Sequence, residues 1–217
     1  MIFRALRTKE NRGWSNLALP FLWMVLITSC SLVSRPSYRV NQYTLEYPSP
    51  ILKESTSINE LIRVDRFSMA QTYNTSAMIY KDGPNLRNVD PYNRWRTKPG
   101  EMATENLVRD LRNSGLFRGV ISYSDSGETR YLLEGQVDEF LEVSEKDGSK
   151  AVLSVNVTFL DLKKREVAER MIFQRDYKVA EPCAEKIPAG LAQGMSRAMG
   201  EISKQILLDL QKALRGR

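Results

Sequence analysis

An uncharged apolar segment that ends in a cysteine is the feature that most constrains how this chain can fold. Residues 17–28 carry no charge, and the segment ends in Ile27-Thr28-Ser29-Cys30, with an aliphatic residue three positions before the cysteine. Four basic residues precede it: Arg4, Arg7, Lys9 and Arg12. This is the order of a bacterial lipoprotein signal, in which the cysteine becomes the new N-terminus. We therefore expect residues 1–29 to be a signal peptide and Cys30 to be the lipidation site.

The same segment admits a second interpretation, as an uncleaved membrane anchor. Its 12 residues fall short of the roughly 20 that a helix needs to cross a bilayer, and Pro20 interrupts it. Acyl chains on Cys30 are therefore the favoured anchor. Each buried methylene of an acyl chain contributes about 0.8 kcal/mol to membrane binding, so several chains together anchor a protein firmly. Residues 30–37 then form a lipidated tether, and Ser31 after the cysteine resembles an outer-membrane sorting signal. We expect a protein that is lipid-anchored to the periplasmic face of the bacterial outer membrane.

Charge and histidine content exclude several functional classes. Removal of residues 1–29 lowers the formal charge from +6 to +3, which is little for a nucleic-acid-binding protein. The chain has no histidine, which removes Ser-His-Asp and Cys-His catalysis and the commonest zinc ligand. No glycine-rich phosphate loop occurs. The sequence thus predicts a binding or assembly protein that is not an enzyme and carries no metal or cofactor. A carboxylate-dependent hydrolase is a separate hypothesis, for which no pair of carboxylates stands out.

The second cysteine, Cys183, has no intramolecular disulfide partner if Cys30 is lipidated. It lies in Ala180-Glu181-Pro182-Cys183-Ala184, before the last predicted helix. The surroundings favour a semi-buried structural thiol, and the alternatives are an intermolecular disulfide or a reactive thiol.

Hydrophobic periodicity predicts a strand-rich domain with two helices. Alternation predicts strands at 38–47, 60–70, 75–80 and 86–90, and an Asp-Gly turn joins the last two as a hairpin. A β-meander is predicted from strands at 120–124, 130–143, 150–162 and 167–179, with Gly135 indicating a bulge or a close backbone approach. Apolar stripes predict helices at 100–114 and 187–214. The expected fold class is α/β (α+β): a mostly antiparallel mixed sheet with two main helices on one face, in a single domain over 38–217.

Aromatic and basic residues alternate just before the first predicted helix, in Pro91–Pro99. Tyr92, Arg94 and Trp95 are the candidate contacts with a protein partner or a lipid headgroup, because Tyr, Trp and Arg are enriched at binding hot spots. The alternative, which the pattern favours for Trp95, is packing at the start of that helix.

The order of several short motifs resembles one known family. After the lipoprotein signal come Tyr43-Thr44-Leu45, Ile62-Arg63-Val64-Asp65-Arg66-Phe67, Met78-Ile79-Tyr80, Tyr92-Asn93-Arg94-Trp95, Ser114-Gly115-Leu116-Phe117, Tyr131-Leu132-Leu133-Glu134-Gly135-Gln136-Val137 and Ala151-Val152-Leu153. An amphipathic C-terminal helix closes the set. This arrangement is similar to the ABC-type transport auxiliary lipoproteins (the PqiC-like family), over nearly all of the mature chain.

The resemblance implies a lipid-anchored auxiliary component of an ABC/MCE-type system that transports lipid or another lipophilic compound. Its implied partner is an MCE-domain protein or another periplasmic component of an ABC transporter, and association with further copies of the chain is a further expectation. The family brings no catalytic residues, so Cys30 is the one position carried over with a clear chemical role. The alternative function is a lipoprotein assembly factor or activator of cell-wall or outer-membrane machinery.

Overall fold

The structure is a computed structural model that describes residues 38–52 and 57–215. The predicted signal peptide, Cys30 and the tether lie outside the described residues. The strands are β1 (Asn41–Tyr43), β2 (Ile58–Val64), β3 (Ser68–Met69), β4 (Ala77–Lys81), β5 (Arg87–Trp95), β6 (Phe117–Ser122), β7 (Tyr131–Glu145), β8 (Gly148–Asp161) and β9 (Met171–Pro182). The helices are α1 (Pro99–Ser114), α2 (Val167–Arg170) and α3 (Pro188–Leu214), with a 3-10 turn at Gln71–Tyr73.

Strand β7 is shared by both halves of the sheet. One edge of β7 pairs antiparallel with β8 along its whole length, and β9 continues antiparallel on β8. The other edge of β7 pairs in parallel with β2, β3 and β4, one after another. Beyond these, β6 pairs with β2, and β5 and then β1 extend from β4. The long antiparallel pairs and the shorter parallel ones together confirm the predicted mixed sheet of an α+β domain.

The predicted meander is wrong at its first strand. β6 pairs in parallel with β2 and therefore does not form a hairpin with β7. The expected hairpin of β4 and β5 is present, with an antiparallel register from Ala77 to Lys81. Strand periodicity indicates which side chains face inward, but it carries no information about which neighbour supplies the hydrogen bonds.

Both long helices cover the same face of the sheet, as predicted. Alternate β8 residues from Ala151 to Phe159 are buried and join one apolar cluster with residues of α1 and α3. The predicted α3 stripe is buried at Leu191, Met195, Met199, Ile202, Ile206 and Leu210. α1 begins with Pro99 and ends at Ser114, followed by Gly115, whose φ of 64° is a conformation that glycine adopts without a steric cost. On the reverse face of the sheet, a smaller cluster of Tyr73, Ile79, Leu141 and Val152 is buried.

The first predicted strand is much shorter than expected. β1 stops at Tyr43, although Leu45 still faces the core as the alternation predicts. The following residues are held across the helices by side chains. The Tyr47 hydroxyl donates to Asp110 Oδ2 at 2.7 Å, the Ser49 hydroxyl donates to Oδ1 at 2.7 Å, and the Glu46 N–H donates to the Ser196 hydroxyl at 3.0 Å. These long-range bonds replace the strand pairing that local alternation suggested.

Gly135 in β7 is predicted to mark either a bulge or a close backbone approach, and the structure shows the close approach. A Cβ atom there would lie 2.6 Å from Cδ2 of Phe67 and closer still to two further ring atoms. Phe67 is 3% exposed and its ring lies in the main core. The bulge in β7 falls instead between Val137 and Glu139. Position 135 thus requires glycine, because the ring of Phe67 leaves no space for a Cβ atom.

We predict that Gly135→Ala lowers the free energy of unfolding by about 1–3 kcal/mol, because overpacking at the Phe67 ring displaces a buried side chain. Urea denaturation followed by circular dichroism measures this. Ser154→Ala, on the half-exposed reverse face of β8, is the control and should stay within about 0.5 kcal/mol of the wild type. In a Phe67→Leu background the alanine should cost clearly less, and equal costs in both backgrounds would contradict the proposed clash.

Candidate functional site

The β5 segment that the sequence singled out is divided between core and surface. Trp95 is 1% exposed, and its ring meets that of Phe140 edge-on with centroids 5.0 Å apart. It is therefore a core residue and not available as a surface contact. Of the three predicted contact residues, only Tyr92 and Arg94 are exposed and remain candidates for a surface contact.

Asp90 holds this part of β5 in a defined conformation. Its Oδ1 accepts hydrogen bonds from the N–H groups of Tyr92 and Asn93, both at 2.8 Å, and Oδ2 accepts from Nδ2 of Asn93 at 2.9 Å and from the Tyr80 hydroxyl at 3.3 Å. Partial burial raises the pKa of the Asp90 carboxyl, but the hydrogen bonds outweigh it and the pKa lies below its usual value. The backbone that carries Tyr92 and Arg94 is thus ordered by an ionised carboxylate.

The neighbouring strand β1 completes a surface around these two residues. In the parallel register Gln42 pairs with Arg94. The same register, continued two residues back and just beyond the start of β1, places Val40 beside Tyr92. Asn93 and Trp95 of β5 face the opposite side, so the four even-numbered residues share the outer face. Val40 is 38% and Tyr92 45% exposed. We call Val40, Gln42, Tyr92 and Arg94 the β1–β5 surface; it presents two apolar groups, an amide and a guanidinium.

A second feature is a groove of about 660 Å³ where β2 and β6 pair, near the other end of β7. Arg63 of β2, Arg118 of β6, Thr129 and Arg130 before β7, and Lys163 after β8 all line it. We call this feature the β2–β6 groove. The sequence analysis missed it, because its residues are spread over about a hundred positions and no local pattern connects them.

No helix among the described residues is long and apolar enough to cross a membrane. Within the same residues there is no group of three or more His, Cys, Asp or Glu side chains that could hold a metal ion.

Comparison with known families decides the classification. The sequence model of the family described as "ABC-type transport auxiliary lipoprotein component" matches residues 43–207, more than half of the 217-residue chain. The chain belongs to this family. As an ABC-type transport auxiliary lipoprotein it is a transport component and not a member of an enzyme class, and family membership indicates a membrane-anchored protein of the cell envelope that works with a transporter.

Solved structures share the fold of this auxiliary lipoprotein. A DUF330 family protein from Xanthomonas campestris matches with a TM-score of 0.72 at 16% identity, covering 80% of this chain and 96% of that chain. An uncharacterized protein matches with a TM-score of 0.60 at 14% identity, covering 79% and 99%. At these identities the likeness shows the fold alone. No curated protein sequence matches the chain.

Cys183 of the auxiliary lipoprotein is a free, partly buried thiol at the end of the β9 segment. Its N–H donates to the carbonyl of Ser149 at 2.9 Å. Burial raises the pKa of the Cys183 thiol, so the protonated form dominates at neutral pH. This environment fits the structural role expected for Cys183 better than the reactive one.

Glu142 is a buried acid that the sequence did not indicate. The bulge after Val137 shifts the alternation of β7, so Glu142 lies on the helix-covered face opposite Ala151. It is 1% exposed, and neither carboxylate oxygen has a hydrogen-bond partner of good geometry among the described residues. Burial raises the pKa of the Glu142 carboxyl, and the nearby Ser149 and Lys186 offset only part of this.

We predict that Glu142 makes the fold more stable at acid pH than at neutral pH. A carboxyl whose pKa is raised in the folded state binds its proton more tightly than in the unfolded chain. Its contribution is therefore complete below the ordinary value of 4.5 and is lost as the pH rises through the folded value. Within that window the slope reaches at most about 1.4 kcal/mol per pH unit.

Urea unfolding of the wild type and Glu142→Gln from pH 4 to pH 8 measures this effect. The glutamine variant should lose this component of the pH dependence and gain stability relative to wild type as the pH rises. Glu134→Gln, at an exposed position of the same strand, is the control and should follow the wild-type profile. A Glu142→Gln profile parallel to that of the wild type would contradict the prediction.

Proposed function

We propose that this protein is a lipid-anchored, periplasm-facing auxiliary component of an ABC/MCE-type transport system for lipid or another lipophilic compound. It acts by docking to the transporter's periplasmic protein, and not by catalysis. The family match over residues 43–207 carries the proposal. The lipoprotein signal ending in Cys30 and the absence of histidine support it.

The anchor in this proposal is acylated Cys30, in the periplasmic leaflet of the outer membrane. Several acyl chains on one cysteine make anchoring effectively permanent, whereas one chain would bind reversibly. The seven residues from Ser31 to Ser37 reach at most about 23 Å when extended, so the domain stays near the membrane. The protein would thereby hold one end of the transport system at that membrane.

The β1–β5 surface is the proposed docking site for the transporter's periplasmic protein. Tyr and Arg are enriched among the residues that dominate binding energies, because they combine large contact area with directional hydrogen bonding. Asp90 already orders the backbone under Tyr92 and Arg94, so binding loses less conformational entropy there than in a mobile loop. Order, exposure and mixed chemistry together favour this surface.

The anchor is tested by fractionation of cells grown with radiolabelled palmitate. The wild type should carry the label and sediment with the outer membrane, and Cys30→Ala should lose both. Cys183→Ala is the matched control and should behave as wild type. An unlabelled wild-type protein that remains in the membrane would show that residues 17–29 act as an uncleaved anchor.

The docking site is tested with the purified full chain and the MCE-domain or periplasmic transporter protein encoded beside it. Tyr92→Ala combined with Arg94→Glu should weaken binding by about tenfold or more, since each residue of a hot spot contributes at least about 1 kcal/mol. Tyr123→Ala combined with Arg165→Glu changes the same residue types at exposed positions outside both β1 and β5 and should not affect binding.

Two negative results have different meanings. If the wild type binds and the Tyr92/Arg94 variant binds equally well, the β1–β5 surface is not the interface. If the wild type binds neither an MCE-domain protein nor another transporter component, the functional proposal itself fails.

A further inference from the structure

We infer that the β2–β6 groove is an anion-binding site for a phosphate group. It lies on the face of β2 away from the helices, because Ile62 and Val64 point into the core and Arg63 between them points outward. Its lining residues come from β2, β6, the segment before β7 and the residues after β8. This inference rests on the groove's own residues and is independent of the docking proposal.

Two of the guanidinium groups that line the groove form no ion pair with any carboxylate that the structure describes. Glu60 accepts from both Lys163 Nζ at 2.9 Å and Arg130 Nη1 at 3.0 Å, and Arg130 Nη2 reaches buried Asp161 at 3.1 Å. Lys163 and Arg130 are thus offset by two carboxylates. Arg63 and Arg118 have no carboxylate within 4.0 Å among the described residues. With Glu128 as the further acid of the lining, the groove carries an excess of positive charge.

Arg63 is held in place by one hydrogen bond, and its Nε donor has no partner among the described residues. Its Nη2 donates to the carbonyl oxygen of Gly127, which ties the guanidinium to the loop before β7. That loop lies close over β6, since a Cβ at Gly127 would come within 3.2 Å of Ile121 Cδ1. Arginine remains protonated at any physiological pH, so the side chain cannot relieve unpaired donors by losing a proton.

Two shielded polar atoms in the groove wall lack partners among the described residues: Arg63 Nε and Thr129 Oγ1. One is a charged donor and the other a hydroxyl that donates or accepts. Both atoms are shielded from solvent, so a tetrahedral oxyanion in the groove would supply acceptors to them only after these side chains move. Arginine pairs with phosphate through two parallel N–H···O bonds, a geometry that lysine does not offer.

A phosphate group can reach this groove as a free ion or as part of a lipid headgroup. A second cavity of about 340 Å³ shares Arg130 with the groove, and three aliphatic side chains contribute to its wall: Ile58, Leu116 and Leu214. This cavity lies on the helix side, since Leu214 belongs to α3, so an amphiphile with its phosphate in the groove would have to pass Arg130 to place an alkyl segment there. The two sources predict different affinities, which the experiment separates.

The test is isothermal titration calorimetry on the full chain in an uncharged detergent, at constant ionic strength. The probes are inorganic phosphate, water-soluble dihexanoyl phosphatidic acid, and dihexanoylglycerol, which lacks the phosphate. Saturable binding of one or both phosphate-bearing probes is expected, with no binding of dihexanoylglycerol. Arg63→Gln and Arg118→Gln should each weaken binding by about tenfold, as for loss of a charge-assisted hydrogen bond.

Arg96→Gln is the matched control, because Arg96 is exposed and lies outside the groove lining. It should bind as wild type. Thermal unfolding checks that Arg63→Gln is folded, and the exposed Arg118 provides a second variant in which folding is not at stake.

The relative affinities of the two phosphate-bearing probes distinguish a lipid headgroup site from a free-phosphate site. Phosphatidic acid binding about tenfold or more tighter than inorganic phosphate identifies a lipid headgroup site, and equal affinities identify a site for free phosphate. Absence of saturable binding to both probes overturns the inference. Equal weakening by Arg96→Gln overturns it as well, since the binding would then reflect overall charge. None of these results bears on the docking test, which measures a protein partner.

Discussion

Strand β7 is the constraint on which the rest of the structure depends. Its 15 residues pair along one edge with β8, and along the other edge with β2, β3 and β4 in turn. Strands β5, β6 and β9 each pair with one of these four, and β1 is attached through β5. The alternation of β7 therefore sets which face of the whole sheet the two long helices can cover.

The bulge between Val137 and Glu139 is a consequence of this central position. Before it Leu133 and Val137 face the helices, and after it Phe140 and Glu142 do so. Phe140 is thereby brought against Trp95, which fixes the end of β5. Glu142 is brought into the core, where neither carboxylate oxygen has a hydrogen-bond partner of good geometry among the described residues. The bulge in β7 thus determines both the contact between Phe140 and Trp95 and the burial of the Glu142 carboxyl.

The two candidate surfaces lie at opposite ends of β7. The β1–β5 surface extends from β4, which pairs near Glu142, and the β2–β6 groove extends from β2, which pairs near Tyr131. They also differ in chemistry: the first combines aromatic, aliphatic and basic groups, and the second is dominated by guanidinium groups. Such a separation allows a protein partner and a phosphate-bearing ligand to bind without competing for the same residues.

Local sequence patterns determined much of this protein. The stripe from Leu191 to Leu210 predicted α3, the alternation from Ala151 to Phe159 predicted β8, and Gly115 predicted the end of α1, because these signals depend on residues within a few turns of each other. The short motifs that indicated the family are equally local, and the lipoprotein signal ending in Cys30 stays a prediction. Only the tertiary structure decided what depends on distant pairs: β6 joins β2, Tyr47 bonds Asp110 in place of a longer β1, and Trp95 is buried against Phe140. The groove around Arg63 belongs to this second group. Its charge excess follows from which carboxylates meet which cations across the sheet, and no spacing in the chain encodes that.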